Sequence, residues 1–376
     1  MRYGLPYKGS KNKLAERIVR LLPQRKHLYD LFCGGCAVSH AALVKGKYEH
    51  IHINDYNWMC PTLFMDALQG KYDNEMRWIS REDFQRMKTT DPYVAVVWSF
   101  GNNMRDYMYS RKIEPLKRAL HYAIFFSDYE PGLELGYDLS FVDGISDVQQ
   151  RYSLIRRYFA KDMHSPSQSF EGGQDSTLAE CGSLAAAQHP TTKLGAKRIS
   201  EIGNSGTACK RPGETGHMER LARLRTIQKK SPYNWKTATD WTDSTRLLHR
   251  ERLCAIKQTM GGGQNLTITS SVMDYAEVEI PEDSVIYCDI PYIGTNKYNG
   301  AEQFDYERFY DWACRQTEPV FISSYDMPDN KFECVMEFQH HSTICAAASK
   351  LVTERVFIPR GQTGRGNLSP RQLSLF

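Results

Sequence analysis

Residues 27–55 read HLYDLFCGGCAVSHAALVKGKYEHIHIND, and the fold is decided by this stretch. Its first six residues have the apolar and aromatic composition of a short strand, and a glycine turn at Gly34 and Gly35 then opens a helical run. The segment YEHIHIND forms a second strand-like run that ends in Asp55. A strand, turn, helix and strand in this order predict half of a doubly wound α/β unit.

Size and composition indicate a globular protein of two domains. The chain has 376 residues, of which 41% are hydrophobic, and domains usually hold about 100–200 residues. Its ten cysteines are scattered, which predicts reduced thiols. No apolar run approaches the roughly 18 residues of a membrane span, and MRYGLPYKGSKNK lacks the apolar centre of a signal peptide. We therefore expect a cytoplasmic protein that does not bind membranes.

Positive charge is concentrated in the middle of the chain. The net charge is +4, yet residues 193–257 contain 15 Lys and Arg against 6 Asp and Glu. This window predicts a surface that binds a polyanion, with a merely solvated basic surface as the alternative.

Strand-like runs lie at both ends of the chain and helical patterns lie between them. NLTITSS, SVIYCDI, PVFISSY and LVTERVFI follow the helical middle, so the α/β domain is predicted to be split. Residues 163–217 are rich in Ser, Gly, Thr and Ala, which predicts a flexible insertion. The predicted organisation is a core of residues 1–57 and 265–360, an inserted mostly helical domain at 58–264 and a polar tail at 361–376.

The glycine turn supports two kinds of interpretation. Gly34 lies where strand passes into helix, and Asp55 follows 21 positions later, close to the spacing at which an acid binds a ribose. This predicts an adenosine-bearing cofactor, although glycine turns of this kind also occur without a ligand. The pair Cys33 and Cys36 could instead be a redox dithiol or half of a zinc site; the sequence holds no second CxxC and no HxxxH.

The strand SVIYCD ends in Asp289, followed by Ile290, Pro291 and Tyr292. An exocyclic amine of a nucleobase is a poor nucleophile until acceptors bond its hydrogens, and the Asp289 carboxylate and the Ile290 carbonyl could supply two acceptors. Pro291 would fix the direction of that carbonyl, and Tyr292 offers a face on which a base can stack. The simpler alternative is that Asp289 only forms a turn.

Taken together, these motifs resemble the Dam-like DNA adenine N6-methyltransferases. The similar segments are LPYKGSKNKLAERI with Tyr7 and Lys11, DLFCGGCAV with Asp30, Phe32 and Gly34, INDYN with Asp55, DYAEV with Asp274 and Tyr275, the DIPY turn, and the later VFISSYD and LVTERVFI. They span about residues 1–60 and 265–360, with WSFGNNMRDYMY also recognisable between them.

This resemblance implies a fold, a cofactor and a reaction. The fold is a Rossmann-like S-adenosylmethionine-dependent methyltransferase core with an inserted, mostly helical target-recognition domain at 58–264. The reaction is methylation of the 6-amino group of an adenine flipped out of double-stranded DNA, without a metal. S-adenosylmethionine would bind at Tyr7, Lys11, Asp30, Phe32, Gly34, Asp55, Asp274, Tyr275 and Asp289. The catalytic residues would be Asp289, Ile290, Pro291 and Tyr292.

The chain departs from the family pattern at three places. Ile290 replaces the first proline of the catalytic motif, Cys36 replaces a glycine, and residues 163–217 are additional. Other substrates stay open as alternatives, namely the N4 amine of cytosine, RNA adenine or a protein glutamine, as does a catalytically weakened DNA-binding homologue.

Two further binding sites are predicted. Mixed basic and aromatic runs predict DNA contacts by Asn102, Asn103, Arg105, Arg111, Lys229, Lys230 and Lys236. The last residues, Gln372, Leu373, Ser374, Leu375 and Phe376, resemble the short motif that docks into the bacterial sliding clamp. The alternative is a tail that packs back on its own domain.

Overall fold

The computed structural model describes residues 2–161, 253–257, 266–292, 304–342 and 350–362. Its strands are β1 (His27–Asp30), β2 (His50–Asn54), β3 (Thr267–Ser271), β4 (Ser284–Asp289), β5 (Val320–Ser324), β6 (Phe332–Ser342) and β7 (Lys350–Pro359). Its helices are α1 (Ala15–Leu21), α2 (Ala37–Lys45), α3 (Met59–Leu68), α4 (Arg81–Met87), α5 (Pro92–Val97), α6 (Glu114–Phe126), α7 (Glu130–Glu134), α8 (Val148–Lys161) and α9 (Tyr306–Arg315). Residues 253–257 are also helical.

The described strands form one seven-stranded sheet in the order β3-β2-β1-β4-β5-β7-β6. Strands β1 to β5 pair in parallel, whereas β7 runs antiparallel to both β5 and β6. This mixed α/β architecture confirms the predicted class and is compatible with a Rossmann-like methyltransferase. The five predicted strands at β1, β2, β3, β4 and β5 and the one at β7 are present, while β6 was not predicted.

Alternation along β4 explains how one strand supports two apolar layers. Val285 and Tyr287 pack with α1, α2 and α3, while Ile286 and Cys288 pack on the opposite face with α9. The four residues are at most 1% exposed. A central parallel strand is covered on both faces and reads as a continuous apolar run. Only its last residue, Asp289, is polar and partly exposed, which leaves the carboxylate at the strand end.

The chain divides into two compact units. The first comprises residues 1–114 and 241–376 and holds the sheet, and the second comprises residues 115–240. Within the second unit, the described residues 115–161 form helices and turns, and Leu120, Ile124 and Ile155 are buried. The predicted boundaries at 57 and 264, and a target-recognition role for an inserted domain, stay predictions.

Some predicted features lie outside the described residues. These are the insertion at 163–217, the basic residues Lys229, Lys230 and Lys236, and the terminal motif at 372–376. In the part of the chain that is described, no helix combines the length and the apolar character that crossing a membrane requires.

Candidate active site

A cleft opens where the strand order changes direction, between the neighbouring parallel strands β1 and β4. Open α/β sheets bind ligands at such a point, outside the carboxyl ends of their strands. The cleft is lined by Tyr7, Gly9, Ser10, Lys11, Asp30, Phe32, Cys33, Gly34, Gly35, Ala37, Val38, Tyr287 and Asp289. Six residues predicted to bind the cofactor, Tyr7, Lys11, Asp30, Phe32, Gly34 and Asp289, therefore share one cavity.

The glycine turn after β1 packs directly against Tyr7. Gly34 has a φ of +45°, and a Cβ atom built on it would lie 3.0 Å from Cε1 of Tyr7. A Cβ atom on Gly35 would lie 2.6 Å from Cβ of Tyr7. The amino-terminal segment is fixed there because the Leu5 amide donates to the Gly35 carbonyl over 2.7 Å. The positive φ favours glycine at position 34, and the close approach of Tyr7 leaves no room for a side chain at position 35.

Asp55 and Asn54 hold the loops around the cleft. The Asp55 carboxylate accepts the Gly34 amide over 2.9 Å and the Asn57 amide over 2.9 Å. Asn54, at the end of β2, donates through Nδ2 to the carbonyls of Leu31 and Met273. Asp55 thus bonds the glycine turn but is not among the residues that line the cleft, and its predicted contact with the ribose stays a prediction. Asn54 was missed by the sequence analysis.

Asp30 is a buried carboxyl at the end of β1. Its Oδ2 atom accepts a hydrogen bond from Ser39 Oγ over 2.5 Å, whereas Oδ1 has no partner among the described residues. The pKa of Asp30 is raised to about 7, mainly because the carboxyl is buried; Ser39 lowers this pKa, and the negative charges of Asp289 and Asp55 contribute to raising it. Within the described part of the chain, the cleft therefore contains an acceptor atom to which no donor is bonded.

Four side chains form a closed polar group at the end of β4. Lys11 Nζ lies 2.8 Å from Asp289 Oδ1 and 3.2 Å from Glu354 Oε1. The Tyr292 hydroxyl lies 3.2 Å from Asp289 Oδ1 and 2.8 Å from Glu354 Oε1. Lys11 Nζ also lies 4.8 Å from the centre of the Tyr292 ring. The structure brings Asp289 and Tyr292 together as predicted and adds Glu354, which the sequence analysis missed.

Charge and burial oppose each other within this group. The pKa of Asp289 is raised to about 6, mainly by burial; Lys11 lowers this pKa and the charge of Glu354 contributes to raising it. Burial alone would lower the pKa of Lys11, but Asp289 and Glu354 outweigh burial and raise it. Lys11 is therefore a permanent ammonium, and Asp289 ionises near neutral pH.

The DIPY turn is anchored beneath this group. Ile290 is 2% exposed, and the Pro291 carbonyl accepts the Tyr306 hydroxyl over 3.1 Å. Tyr325 packs on Tyr292 with 4.4 Å between ring centres and 60° between ring planes. The aromatic ring is therefore fixed on one side by Tyr325.

Asp274 and Tyr275 lie beside the cleft but do not line it. Tyr275 packs against Phe32 with 5.3 Å between ring centres, and Phe32 is a cleft residue. Asp274 caps the 3-10 turn Tyr275–Glu277 and forms an ion pair with Arg308 over 2.8 Å. Their position next to Phe32 is consistent with the predicted segment that flanks the cofactor.

A tight loop at 99–107 contains three of the predicted DNA contacts. Ser99 and Tyr107 form an antiparallel bridge, and Asn102 donates through Nδ2 to the Val96 carbonyl over 2.9 Å. Asn103 Oδ1 accepts the amides of Arg105 and Asp106, so both asparagines hold the loop together. The Phe100 side chain on this loop is 65% exposed, an unusual position for a phenylalanine.

Cys33 and Cys36 are free thiols with 3.5 Å between their sulfur atoms. Burial raises the pKa of both thiols, which opposes the thiolate that redox chemistry needs. Among the described residues, no cluster of three or more His, Cys, Asp or Glu is arranged to hold a metal ion.

The sequence was compared with known protein families and with curated proteins. Residues 7–126 match the D12 class N6 adenine-specific DNA methyltransferases. This segment, about a third of the chain, includes Tyr7, Lys11, the glycine turn, Asp55 and the loop at 99–107. No individually curated protein matches the chain.

The match confirms the family resemblance that the motifs predicted. It supports adenine-specific DNA methylation as the activity of this chain, a transferase reaction with DNA as the substrate and, as is typical of such enzymes, S-adenosylmethionine as the methyl donor. Asp289 and Tyr292 lie beyond the matched segment, so their roles rest on the geometry of the site.

Proposed function

We propose that this protein transfers a methyl group from S-adenosylmethionine to the 6-amino group of an adenine in duplex DNA, at the cleft between β1 and β4. One observation carries the proposal: Asp289, the acceptor predicted for the adenine amine, lines the same cleft as the glycine turn at Gly34. A methyl donor held at the glycine turn would therefore lie within reach of that acceptor.

The cleft suits the donor in shape and charge. The glycine turn and Tyr7 line the same cleft as Asp30, and among the described residues Asp30 Oδ1 is a buried acceptor without a hydrogen-bond partner. Both features fit a ligand that carries an ammonium and a sulfonium. When bound, S-adenosylmethionine supplies a methyl group already activated by its positive sulfur. The residues of the chain have only to position the amine and to accept hydrogen bonds from it, which makes its nitrogen a better nucleophile.

Asp289 and Tyr292 would hold the adenine. The Asp289 carboxylate accepts one hydrogen of the amine, the Ile290 carbonyl accepts the other, and the Tyr292 ring supports the base. Lys11 Nζ contacts the same two residues, since it donates to Asp289 and lies over the Tyr292 ring. An adenine inside a duplex cannot reach a buried strand end, so the reaction requires the base to leave the stack.

Replacing Asp289 by alanine tests the proposal. Asp289→Ala should lower methyl transfer to unmethylated DNA by more than about tenfold, because the amine loses its acceptor, while S-adenosylmethionine affinity changes by only a few fold. Incorporation of tritiated methyl and calorimetric titration of the cofactor measure the two quantities.

A matched variant separates chemistry from general damage. Asp329 is exposed in the turn between β5 and β6, so Asp329→Ala should behave as the parent. If Asp289→Ala keeps methyl transfer within tenfold of the parent, Asp289 is not the acceptor. Mapping the methylated base in the product distinguishes adenine N6 from cytosine N4.

The sliding clamp stays a prediction from the terminal motif. Gln372, Leu373, Leu375 and Phe376 lie outside the described residues, and the proposed chemistry does not depend on them.

A further inference from the structure

Glu354 brings a second carboxylate into the active site from the antiparallel part of the sheet. It lies on β7 and is 5% exposed, next to Arg355, which pairs with Ser324 at the end of β5. The insertion of β7 beside β5 places the Glu354 side chain opposite Asp289 and Tyr292. No motif of the sequence analysis assigned a role to this residue.

Proton counting shows how the four groups share their bonds. Lys11 Nζ has three hydrogens, and its distances of 2.8 Å to Asp289 and 3.2 Å to Glu354 allow it to serve both carboxylates. The Tyr292 hydroxyl has a single hydrogen. Its contact with Glu354 is 2.8 Å and its contact with Asp289 is 3.2 Å, so Glu354 is the better acceptor. Glu354 therefore holds Tyr292 whether or not Asp289 is occupied.

The substrate competes for one of these bonds. If Asp289 accepts the adenine amine through Oδ1, that oxygen faces three donors with two lone pairs, because Lys11 and Tyr292 already contact it. An ammonium that is 9% exposed cannot lose its partner without a large penalty. Glu354 is the carboxylate already in contact with Lys11 that the substrate does not need.

We propose that Glu354 is a positioning residue. It keeps its ion pair with Lys11 and its hydrogen bond with the Tyr292 hydroxyl when Asp289 accepts the substrate amine. The inference rests on the proposed function of Asp289 and goes beyond it. Glu354 itself touches neither reacting atom. It acts by keeping the ring of Tyr292 in orientation and by drawing Lys11 away from the position of the base.

One substitution separates the charge of Glu354 from its shape. Glu354→Gln keeps the shape and an oxygen acceptor for Tyr292 but removes the charge that Lys11 requires. We expect kcat to fall by about 10–100-fold, since a misplaced reacting group costs that much, with little change in S-adenosylmethionine affinity. The acid limb of the pH profile should move to lower pH, because Glu354 raises the pKa of Asp289.

Two further variants exclude a merely structural effect. Glu337→Gln removes the same charge from the adjacent strand β6, where Glu337 is exposed and pairs with Arg355, and it should retain the parent kcat and pH profile. Glu354→Asp keeps the charge on a shorter side chain. It should therefore have a higher kcat than Glu354→Gln, and the acid limb of its pH profile should lie where that of the parent lies.

A measurement without DNA makes the inference independent of turnover. The Asp289 carboxyl can be titrated by NMR in the full chain with 13C-labelled aspartate, with Asp289→Asn to assign its signal. Glu354→Gln should lower its pKa. An unchanged Asp289 pKa in Glu354→Gln, or a kcat and acid limb equal to the parent, would overturn the role of Glu354. An inactive parent would instead refute the proposed function, and the NMR titration would still decide whether Glu354 acts on Asp289.

Discussion

Asp30 is a carboxylic acid in a position that disfavours its charge. It is 1% exposed, and burial raises its pKa to about 7. A folded state that holds a proton more tightly than the unfolded chain loses stability as the pH rises. The raised pKa is thus a cost to the fold, as is common at sites built for a charged ligand.

Replacing Asp30 by asparagine should remove this pH dependence. In the parent, the unfolded chain ionises Asp30 near pH 4 and the folded protein near pH 7, so stability should fall by roughly 2–4 kcal/mol across that window. Asp30→Asn has no proton to lose and should show a flatter profile. Urea unfolding of both proteins at pH 5 and pH 8 measures the difference. An equal loss of stability in both would contradict a raised Asp30 pKa.

Single residues also show how far the sequence could predict the site. Local motifs were enough to predict five site residues: Tyr7, Lys11, Asp30, Asp289 and Tyr292. Lys11 was expected at the cofactor, yet its ammonium bonds Asp289 and Glu354. Its partner Glu354 could not be named, since the pairing depends on β7 entering the sheet beside β5, and LVTERVFI alone marks it only as a polar residue within a strand.

The turn between β1 and α2 has a backbone conformation that favours glycine at two positions. Gly34 has a positive φ, and Cys36 adopts φ 55° and ψ 33° as the residue before α2. This left-handed conformation is one that favours glycine, the residue that the family resemblance led us to expect at the position of Cys36. A non-glycine residue there costs about 1–2 kcal/mol, which the chain tolerates at Cys36.

Gly34→Ala should damage the cofactor site more than the fold. The new Cβ atom would lie 3.0 Å from Tyr7 Cε1 in a left-handed backbone, so Tyr7 must move. We expect S-adenosylmethionine affinity to fall at least about tenfold and stability by about 1–2 kcal/mol. Calorimetry and thermal unfolding measure the two effects.

Gly361 supplies the matched control for this turn. It has a φ of +88° and nothing within 4 Å of a built Cβ atom. Gly361→Ala should therefore lose similar stability through backbone strain and keep the parent affinity. Equal cofactor affinity in Gly34→Ala and the parent would show that the turn does not hold the donor.

Strand β6 shows where prediction of elements fails. Phe332, Met336 and Phe338 are buried, but a register shift between Cys334 and Met336 interrupts the pairing with β7 and leaves Cys334 exposed. A bulge of this kind breaks the strict alternation by which a strand is recognised. The parallel strands were predictable because they are short apolar runs that end in polar residues.

DNA binding is a property of the whole molecule, because many separate phosphate contacts add together. The net charge is only +4, and the excess of 15 basic over 6 acidic residues lies at 193–257. Within the described residues, Arg105 is paired with Asp106 over 2.8 Å, whereas no ion pair to Arg111 is found there. Arg111 is therefore the better candidate for a phosphate contact in this part of the chain.

Salt dependence of binding tests this difference. Arg111→Ala should reduce the slope of log affinity against log salt by about 1, the value expected for one lost phosphate contact. Arg105→Ala should change it less, because Asp106 already neutralises that charge. Fluorescence anisotropy with duplex DNA between low and moderate salt gives the slopes. Lys26→Ala, at the amino end of β1, serves as the control, and a slope unchanged in Arg111→Ala would exclude the contact.

The position of Glu354 on β7 has a consequence for synthesis of the protein. Lys11 is translated long before Glu354, its second carboxylate partner. Because β7 completes the sheet between β5 and β6, a nascent polypeptide lacks both the strand and the carboxylate. The polar group of Lys11, Asp289, Tyr292 and Glu354 should thus form only after β7 has been translated.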